Sequence, residues 1–206
     1  MARAADETAG ARGEPAIRAA RCACGRYRSS RVGGAAGPYT PTPLPVLVRW
    51  RPGGHPVLVA IVWEATREDV ASWLEIVREA EPLFGPMPDF EAVLLRNISR
   101  GTALCVRDAS GQVLGGVLLK APPDASISWL AVRASARHLG IGRALVAEVL
   151  RRCTPPCEVL VETFGADNAE GRPARALYES FGFVPAEHLP NGPEGGSRQR
   201  FRLQLR

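Results

Sequence analysis

The stretch Arg137-His138-Leu139-Gly140-Ile141-Gly142-Arg143 decides how this chain is interpreted. It follows an apolar, β-rich run at residues 127–132 and precedes a helical pattern that extends to about residue 152. Glycine lets the backbone turn and approach a ligand closely, because it has no Cβ. The first N–H groups of a helix lack partners and carry the positive end of the helix dipole. The stretch therefore predicts a phosphate site, to which its histidine and its arginines add positive charge.

Two other glycine-loop classes do not fit this stretch. A P-loop requires Gly-x4-Gly-Lys-Ser/Thr, and the only lysine of the chain is Lys120. A dinucleotide loop requires Gly-x-Gly-x-x-Gly, and Leu145 stands at the position of the third glycine. The predicted phosphate ligand therefore belongs to another class of molecule.

The rest of the chain predicts a mixed α/β domain around this loop. Thr66 and Asp69 form a capping-box pattern that opens a helix, which Pro82, Gly85, Pro86 and Pro88 are expected to end. Before and after that helix the pattern predicts, in order, a strand (57–63), a helix (89–99), strands (102–107, 113–119, 127–132), a helix (141–152), a strand (158–164), a helix (173–181) and strands (from 183, and 199–205). Gly182 is expected to stop the last helix. The predicted order is β-α-α-β-β-β-α-β-α-β-β.

Two motifs in this order resemble the signatures of a known family. Leu130-Ala131-Val132 followed by Arg137-x-x-Gly140-x-Gly142-Arg143-Ala144-Leu145 resembles the coenzyme A signature of the GNAT superfamily, the histone-acetyltransferase-like N-acetyltransferases. Further along, Ala174-x-x-Leu177-Tyr178-Glu179-Ser180-Phe181-Gly182-Phe183 is similar to the second signature, a helix that ends in a Gly-Phe pair. A predicted strand separates the two, and the resemblance covers roughly residues 58–206.

The resemblance implies both a fold and a coenzyme site. The fold would be α/β (α+β), with a central mixed, mostly antiparallel sheet that is splayed at the coenzyme site and has helices on both faces. Backbone N–H groups from about His138 to Arg143 would hold the pyrophosphate of acetyl-CoA, and the pantetheine arm would pair with the preceding strand. The implied coenzyme contacts are Leu130, Val132, Arg137, His138, Gly140, Ile141, Gly142, Arg143, Asn168 and Tyr178.

The resemblance also implies transfer of an acetyl group to an amine. Tyr178 matches a tyrosine that lies near the coenzyme sulfur, where a protonated phenol can donate to a departing thiolate; the alternative is a core residue. Glu162 interrupts an apolar strand and is the first candidate for the base that deprotonates the amine, although it would also suit a structural ion pair. Glu64, Glu79 and Glu81 are rival bases.

Two positions depart from the family pattern. Arg133-Ala134-Ser135-Ala136 stands where the family often has a proline shortly after the coenzyme strand. Gly171-Arg172-Pro173 stands where an asparagine often opens the second signature. Neither change removes the predicted phosphate site.

The distribution of charge argues against nucleic-acid binding. The net charge of +5 is concentrated in residues 1–55, where nine arginines face three acidic residues. Residues 56–206 hold seventeen basic and eighteen acidic residues, and a surface selected for phosphate contacts would normally also use lysine. We therefore expect a poorly ordered Arg/Ala/Gly/Pro-rich extension at 1–55 and an acetyltransferase domain at 56–206.

Further patterns limit location, metal content and partners. The five cysteines do not have zinc-finger spacing, so no metal is expected. No apolar run has the ~20 residues of a membrane span, and no signal peptide is evident, which predicts a cytoplasmic protein without a membrane partner. The expected ligands are acetyl-CoA and an amine acceptor, and the resemblance allows a homodimer. A non-catalytic acyl-CoA sensor of the same fold is the alternative.

Overall fold

The computed structural model describes residues 47–50, 56–120 and 125–206, and most of the predicted extension lies outside these residues. The strands are β1 (Leu47–Trp50), β2 (Pro56–Val59), β3 (Val62–Glu64), β4 (Ala103–Arg107), β5 (Val113–Lys120), β6 (Ser126–Val132), β7 (Cys157–Phe164), β8 (Val184–Leu189) and β9 (Arg198–Leu205). The helices are α1 (Val70–Phe84), α2 (Phe90–Ser99), α3 (Ile141–Arg152) and α4 (Arg172–Glu179).

Seven strands form one sheet in the order β3-β4-β5-β6-β7-β9-β8. All neighbours are antiparallel except β6 and β7, which are parallel. The β6–β7 ladder contains only the pairs Ser126–Leu160 and Ile127–Val161, so the two strands separate beyond them. The predicted mixed, mostly antiparallel sheet with a splay is confirmed.

Helices cover both faces of this sheet, as predicted. The strands alternate their side chains between the faces, so successive β4 residues enter different cores. Leu104 and Val106 pack in a core with residues of α3, whereas Ala103 and Cys105 pack in a core with residues of α1 and α2. The pair α1 and α2 therefore lies on the opposite side of the sheet from α3.

The predicted capping box is present, and it caps a 3-10 turn, Arg67–Asp69, that leads directly into α1. The N–H of Thr66 donates to the Asp69 carboxylate at 2.6 Å. Arg107 on β4 donates to both oxygens of the same carboxylate, from Nε and Nη2, each at 2.6 Å. Burial alone would raise the pKa of Asp69, but the hydrogen bonds from Arg107 and Thr66 and the Arg107 charge outweigh it and hold the pKa below its ordinary value. This network ties α1 to the sheet.

Two details of the predicted elements are wrong. The apolar run 57–63 is not one strand: β2 pairs with β1 in a separate two-stranded sheet, and β3 pairs with β4. The sequence pattern shows that residues 57–63 favour strands, but it does not show that β2 and β3 pair with different strands. Pro82 does not end α1, which continues to Phe84; near a helix end the missing N–H removes only one helical bond. Strand β1 lies within the segment expected to be poorly ordered.

Candidate active site

The separation of β6 and β7 opens a cleft of about 1070 Å³. One part of its wall is the loop from Arg137 to Arg143 together with α4. The other part comes from the end of α1 and from the segment between β8 and β9, which contribute Leu83, Phe84, Met87, Leu189, Pro190, Asn191, Gly192 and Pro193. The cleft therefore joins the loop singled out by the sequence to a second, more apolar wall.

The glycine loop has the geometry of an anion site. Gly140 takes a left-handed conformation, with φ of +82°, which glycine adopts without strain, and α3 starts at the next residue. The first backbone bond of the helix runs from the N–H of Ala144 to the oxygen of Gly140 at 3.0 Å. Within the described residues, the six N–H groups from His138 to Arg143 have no acceptor. They can hold a pyrophosphate at the positive end of the helix.

Two arginines and a histidine lie in the same part of the cleft as these N–H groups. Arg137, His138 and Arg143 all line the cleft. The Arg143 guanidinium donates to the hydroxyl of Ser180 at 3.0 Å and lies 4.9 Å from the ring centre of Phe181, which ties it to the end of α4. A phosphate ligand would therefore meet positive charge as well as backbone donors.

The edge of β6 that faces the cleft is free for a ligand to pair with. On its other edge, Leu130 pairs with Val117 and Val132 pairs with Gly115 of β5. Beyond Ile127, β6 makes no pair with β7. An extended amide-bearing arm can therefore add to this edge as a strand would, next to the glycine loop.

Tyr178 on α4 is buried and lines the cleft. Its ring packs edge-on against Phe183, with ring centres 5.7 Å apart. Its hydroxyl makes no hydrogen bond within the part of the chain that the structure describes. Burial raises the pKa of the Tyr178 phenol above its ordinary value, so the hydroxyl stays protonated at neutral pH. It is therefore an uncommitted proton donor in the cleft.

Glu162 on β7 also lines the cleft, but it is paired. Its Oε1 accepts from Nη2 of Arg200, its cross-strand neighbour, at 2.7 Å, and its side chain is 60% exposed. Of the three rival glutamates, Glu64 pairs with Arg152, Glu79 pairs with Arg133, and Glu81 lines a separate cavity of about 370 Å³. Among the four, only Glu162 faces the cleft.

The structure brings ten of the eleven predicted site residues to the cleft and leaves Asn168 outside its wall. The Asn168 side chain instead accepts the N–H of Gly171 at 3.1 Å, in the turn before α4. Sequence reasoning missed the wall formed by the β8–β9 segment and by Arg198. No local pattern places this segment beside α1, because the contact spans about a hundred residues of chain.

Arg133 supports the loop where the family often has a proline. Its guanidinium donates to the backbone oxygens of Val113 and Ser72, and to Glu75 and Glu79, at 2.7–3.3 Å. Glu79 also accepts the N–H of Ala134 at 2.7 Å. This anchor lies between the free edge of β6 and the glycine loop, so it fixes one relative to the other.

Neither a metal-ligating group nor a membrane-spanning helix is found among the described residues. In residues 47–50, 56–120 and 125–206 there is no group of three or more metal-ligating side chains, and no helix is long and apolar enough to cross a membrane. Cys153 is buried, and its thiol donates to the backbone oxygen of Val149. Burial, followed by the neighbouring Cys157, raises the pKa of the Cys153 thiol.

Comparisons with known proteins agree with this geometry. Residues 100–185 match the family model of the acetyltransferase (GNAT) domain. The chain is similar in structure to Ard1 from Thermoplasma volcanium, with a TM-score of 0.60, 22% identity and coverage of 72% of this chain and 99% of that one. It is also similar to a phosphinothricin acetyltransferase from Sinorhizobium meliloti in complex with acetyl-CoA, with a TM-score of 0.57, 22% identity and coverage of 72% of this chain and 89% of that one.

A third similar structure is the ribosomal-protein-alanine N-acetyltransferase from Brucella melitensis, with a TM-score of 0.56, 21% identity and coverage of 70% of this chain and 99% of that one. At these identities the three structures show a shared fold. None of the curated proteins compared with the chain matches it.

Proposed function

Since the chain contains a domain of the GNAT acetyltransferase superfamily, we propose that it transfers an acetyl group from acetyl-CoA to a primary amine of a small molecule or peptide. One observation carries the proposal. The glycine loop with its unpaired N–H groups (all its residues except Leu139), the unpaired edge of β6 and Tyr178 line one cleft. These are the parts needed to hold a pyrophosphate, an amide-bearing arm and a departing thiolate.

The coenzyme is held by backbone more than by side chains. The N–H groups of residues 138–143 hold the pyrophosphate, and Arg137, His138 and Arg143 supply charge. The edge of β6 at Leu130 and Val132 pairs with the pantetheine arm. This places the reactive thioester in the splay, between β6 and the side chains of β7 and α4.

Tyr178 and Glu162 have distinct parts in the transfer. The amine nitrogen attacks the thioester carbon, a C–N bond forms and the C–S bond breaks. The Tyr178 phenol, which burial keeps protonated at neutral pH by raising its pKa, gives its proton to the leaving thiolate. Glu162, whose Oε2 has no partner among the described side chains, accepts the proton of the amine directly or through water.

The second wall of the cleft receives the acceptor. Leu83, Phe84 and Met87 give this wall an apolar character. Few carboxylates line it, so it lacks the negative charge that would attract a polycation. This argues against polyamines and aminoglycosides as acceptors and favours amines with apolar substituents.

The experiment is an acetyl-transfer assay on the full-length chain, with detection of the free thiol released from acetyl-CoA. A panel of primary amines should reveal acceptor-dependent thiol release that scales with enzyme concentration. Binding of acetyl-CoA without turnover of any amine would overturn the proposal and favour the acyl-CoA sensor.

A further inference from the structure

Arg198 lies at the wall of the cleft that the proposed function assigns to the acceptor. It is the first residue of β9 and pairs across the sheet with Phe164, at the splayed end of β7. Its guanidinium lies 4.3 Å from the ring centre of Phe164, which in turn stacks on Phe84 of α1 at 5.6 Å. The charge is therefore held in a fixed place among aromatic rings.

The guanidinium of Arg198 is buried, but one of its nitrogens has no hydrogen-bond partner among the described residues. Its side chain is only 14% exposed, and Nη1 is fully buried without a hydrogen-bond partner. Nη2 makes one long hydrogen bond, 3.5 Å, to the backbone oxygen of Leu83. By contrast, the equally buried Arg133 makes four hydrogen bonds. Buried donors are normally paired, so an unfilled guanidinium beside a cleft points to a missing acceptor.

The nearest carboxylate forms a salt bridge with Arg198 but leaves its donors unfilled. Glu194 Oε1 lies 2.8 Å from Arg198 Nη2, but the contact lacks hydrogen-bond geometry and both oxygens of Glu194 remain without a donor. Glu194 is also absent from the wall of the cleft, whereas Arg198 belongs to it. The other arginine of this wall, Arg200, is paired with Glu162 and Glu187. Arg198 therefore differs from Arg200 in that, besides its salt bridge to Glu194, it keeps a donor without an acceptor among the described residues.

We propose that Arg198 binds the carboxylate of the acceptor, so that the acceptor is an amino acid with an apolar side chain. A guanidinium binds a carboxylate with two parallel hydrogen bonds, which would use its unfilled donors. Leu83, Phe84 and Met87 would contact the apolar side chain. The inference rests on the proposed acetyl transfer and names its substrate class.

The first test compares free amino acids with their amides on the unaltered chain. The probes are leucine, methionine and phenylalanine and the matching carboxamides, which keep the amine and the side chain but remove the negative charge. The proposal predicts a value of kcat/KM for each acid at least about 30-fold above that for its amide, because a buried guanidinium discriminates strongly against a neutral partner. Equal use of acids and amides, or a preference for amides, overturns it; the latter outcome would indicate peptide N-termini.

The second test separates ligand binding from loop support. Arg198→Gln should raise KM for the acids at least about 30-fold and leave KM for the amides within about threefold. Glu194→Gln removes the carboxylate that lies 2.8 Å from Arg198 and would compete with that of the acceptor, so it should leave KM for the acids unchanged or lower. If the two substitutions weaken acid and amide use equally, Arg198 serves only the β8–β9 segment. Should Arg198→Gln not fold, Arg198→Lys and the comparison on the unaltered chain still decide.

Calorimetry with acetyl-CoA distinguishes the failure of this inference from that of the proposed function. Acetyl-CoA binding with transfer to the carboxamides as efficient as transfer to the matching acids would retain the function and reject the carboxylate site. Acetyl-CoA binding without transfer to any probe also rejects the site, and absence of acetyl-CoA binding rejects both.

Discussion

Gly142 and Leu177 bring α3 and α4 into direct contact: a Cβ on Gly142 would lie 3.2 Å from Cδ2 of Leu177. This contact lies beside the glycine loop and one residue before Tyr178. The second glycine of the loop therefore allows α3, which starts at the proposed phosphate site, to pack against α4, which carries Tyr178.

A leucine at position 142 should force the two helices apart. Gly142→Leu is expected to lower the free energy of unfolding by about 1–3 kcal/mol and to weaken acetyl-CoA binding, because the added side chain meets Leu177. Leu177→Ala in the same chain should restore part of both losses. Thermal melts and calorimetry on the four-member mutant cycle test this, and additive losses would show that the two positions do not interact.

Removal of the Tyr178 hydroxyl should impair chemistry without affecting folding. Tyr178→Phe is expected to lower kcat about 100-fold, since the thiolate would leave without a proton donor. KM for acetyl-CoA and the melting temperature should change little, because the hydroxyl makes no hydrogen bond within the described part of the chain. Steady-state kinetics would reject the assigned role if kcat stayed within twofold.

Glu162 and its ion-pair partner should respond differently if Glu162 is the base. Glu162→Gln is expected to lower kcat about 100-fold, whereas Arg200→Gln leaves the carboxylate in place and should have a small effect. The measurement is kcat/KM for the amine as a function of pH in both variants. Equal losses in the two would mean that the pair is structural and that the amine loses its proton elsewhere.

The Asp69–Arg107 pair should make the stability depend on acid pH. Because the folded-state pKa of Asp69 is held below its ordinary value, its contribution is complete above pH about 4 and is lost as the pH falls through the folded pKa. Asp69→Asn should be less stable at pH 7 and should lose less stability between pH 5 and pH 3. Urea melts at several pH values test this, and parallel pH profiles would contradict it.

Loss of the Arg133 hydrogen bonds should weaken acetyl-CoA binding by more than the accompanying loss of stability explains. Arg133→Met removes four hydrogen bonds and should weaken acetyl-CoA binding several-fold, because the segment between β6 and the glycine loop is no longer fixed. Arg152→Met is the matched control, since Arg152 also links two elements, α3 and β3, through Glu64, but lies at the end of α3 that is remote from the glycine loop. Equal changes of affinity in the two variants would refute a specific role.

Local signals in the sequence predicted the elements that position the coenzyme site. Hydrophobic periodicity predicted α3 with the bounds that the structure has, Ile141–Arg152. The capping box at Thr66 is also present as predicted. The motif residues on β6, the glycine loop and α4 lie in one cleft because each element is defined by nearby residues. Interactions between residues close in the sequence were sufficient to predict these elements.

Long-range contacts were beyond local patterns. The residues next to Arg198 in the sequence do not show that it packs on Phe164 and faces α1. Those next to Arg133 do not show that it pairs with Glu75 and Glu79. The same limit hid the division of residues 57–63 between two sheets. Asn168 matched the expected loop but is used by its own turn, since an asparagine side chain often bonds to nearby backbone.

The most direct test of the central claim is calorimetric titration of the full-length chain with acetyl-CoA, alongside Gly142→Asp and Gly142→Asn. The account predicts binding in the micromolar range, abolished by Gly142→Asp, which adds a negative charge next to the proposed pyrophosphate site, and reduced less by Gly142→Asn, which meets Leu177 in the same way but is neutral. Absence of binding to the unaltered chain at millimolar acetyl-CoA, or equal binding by all three proteins, would contradict a coenzyme site at the glycine loop.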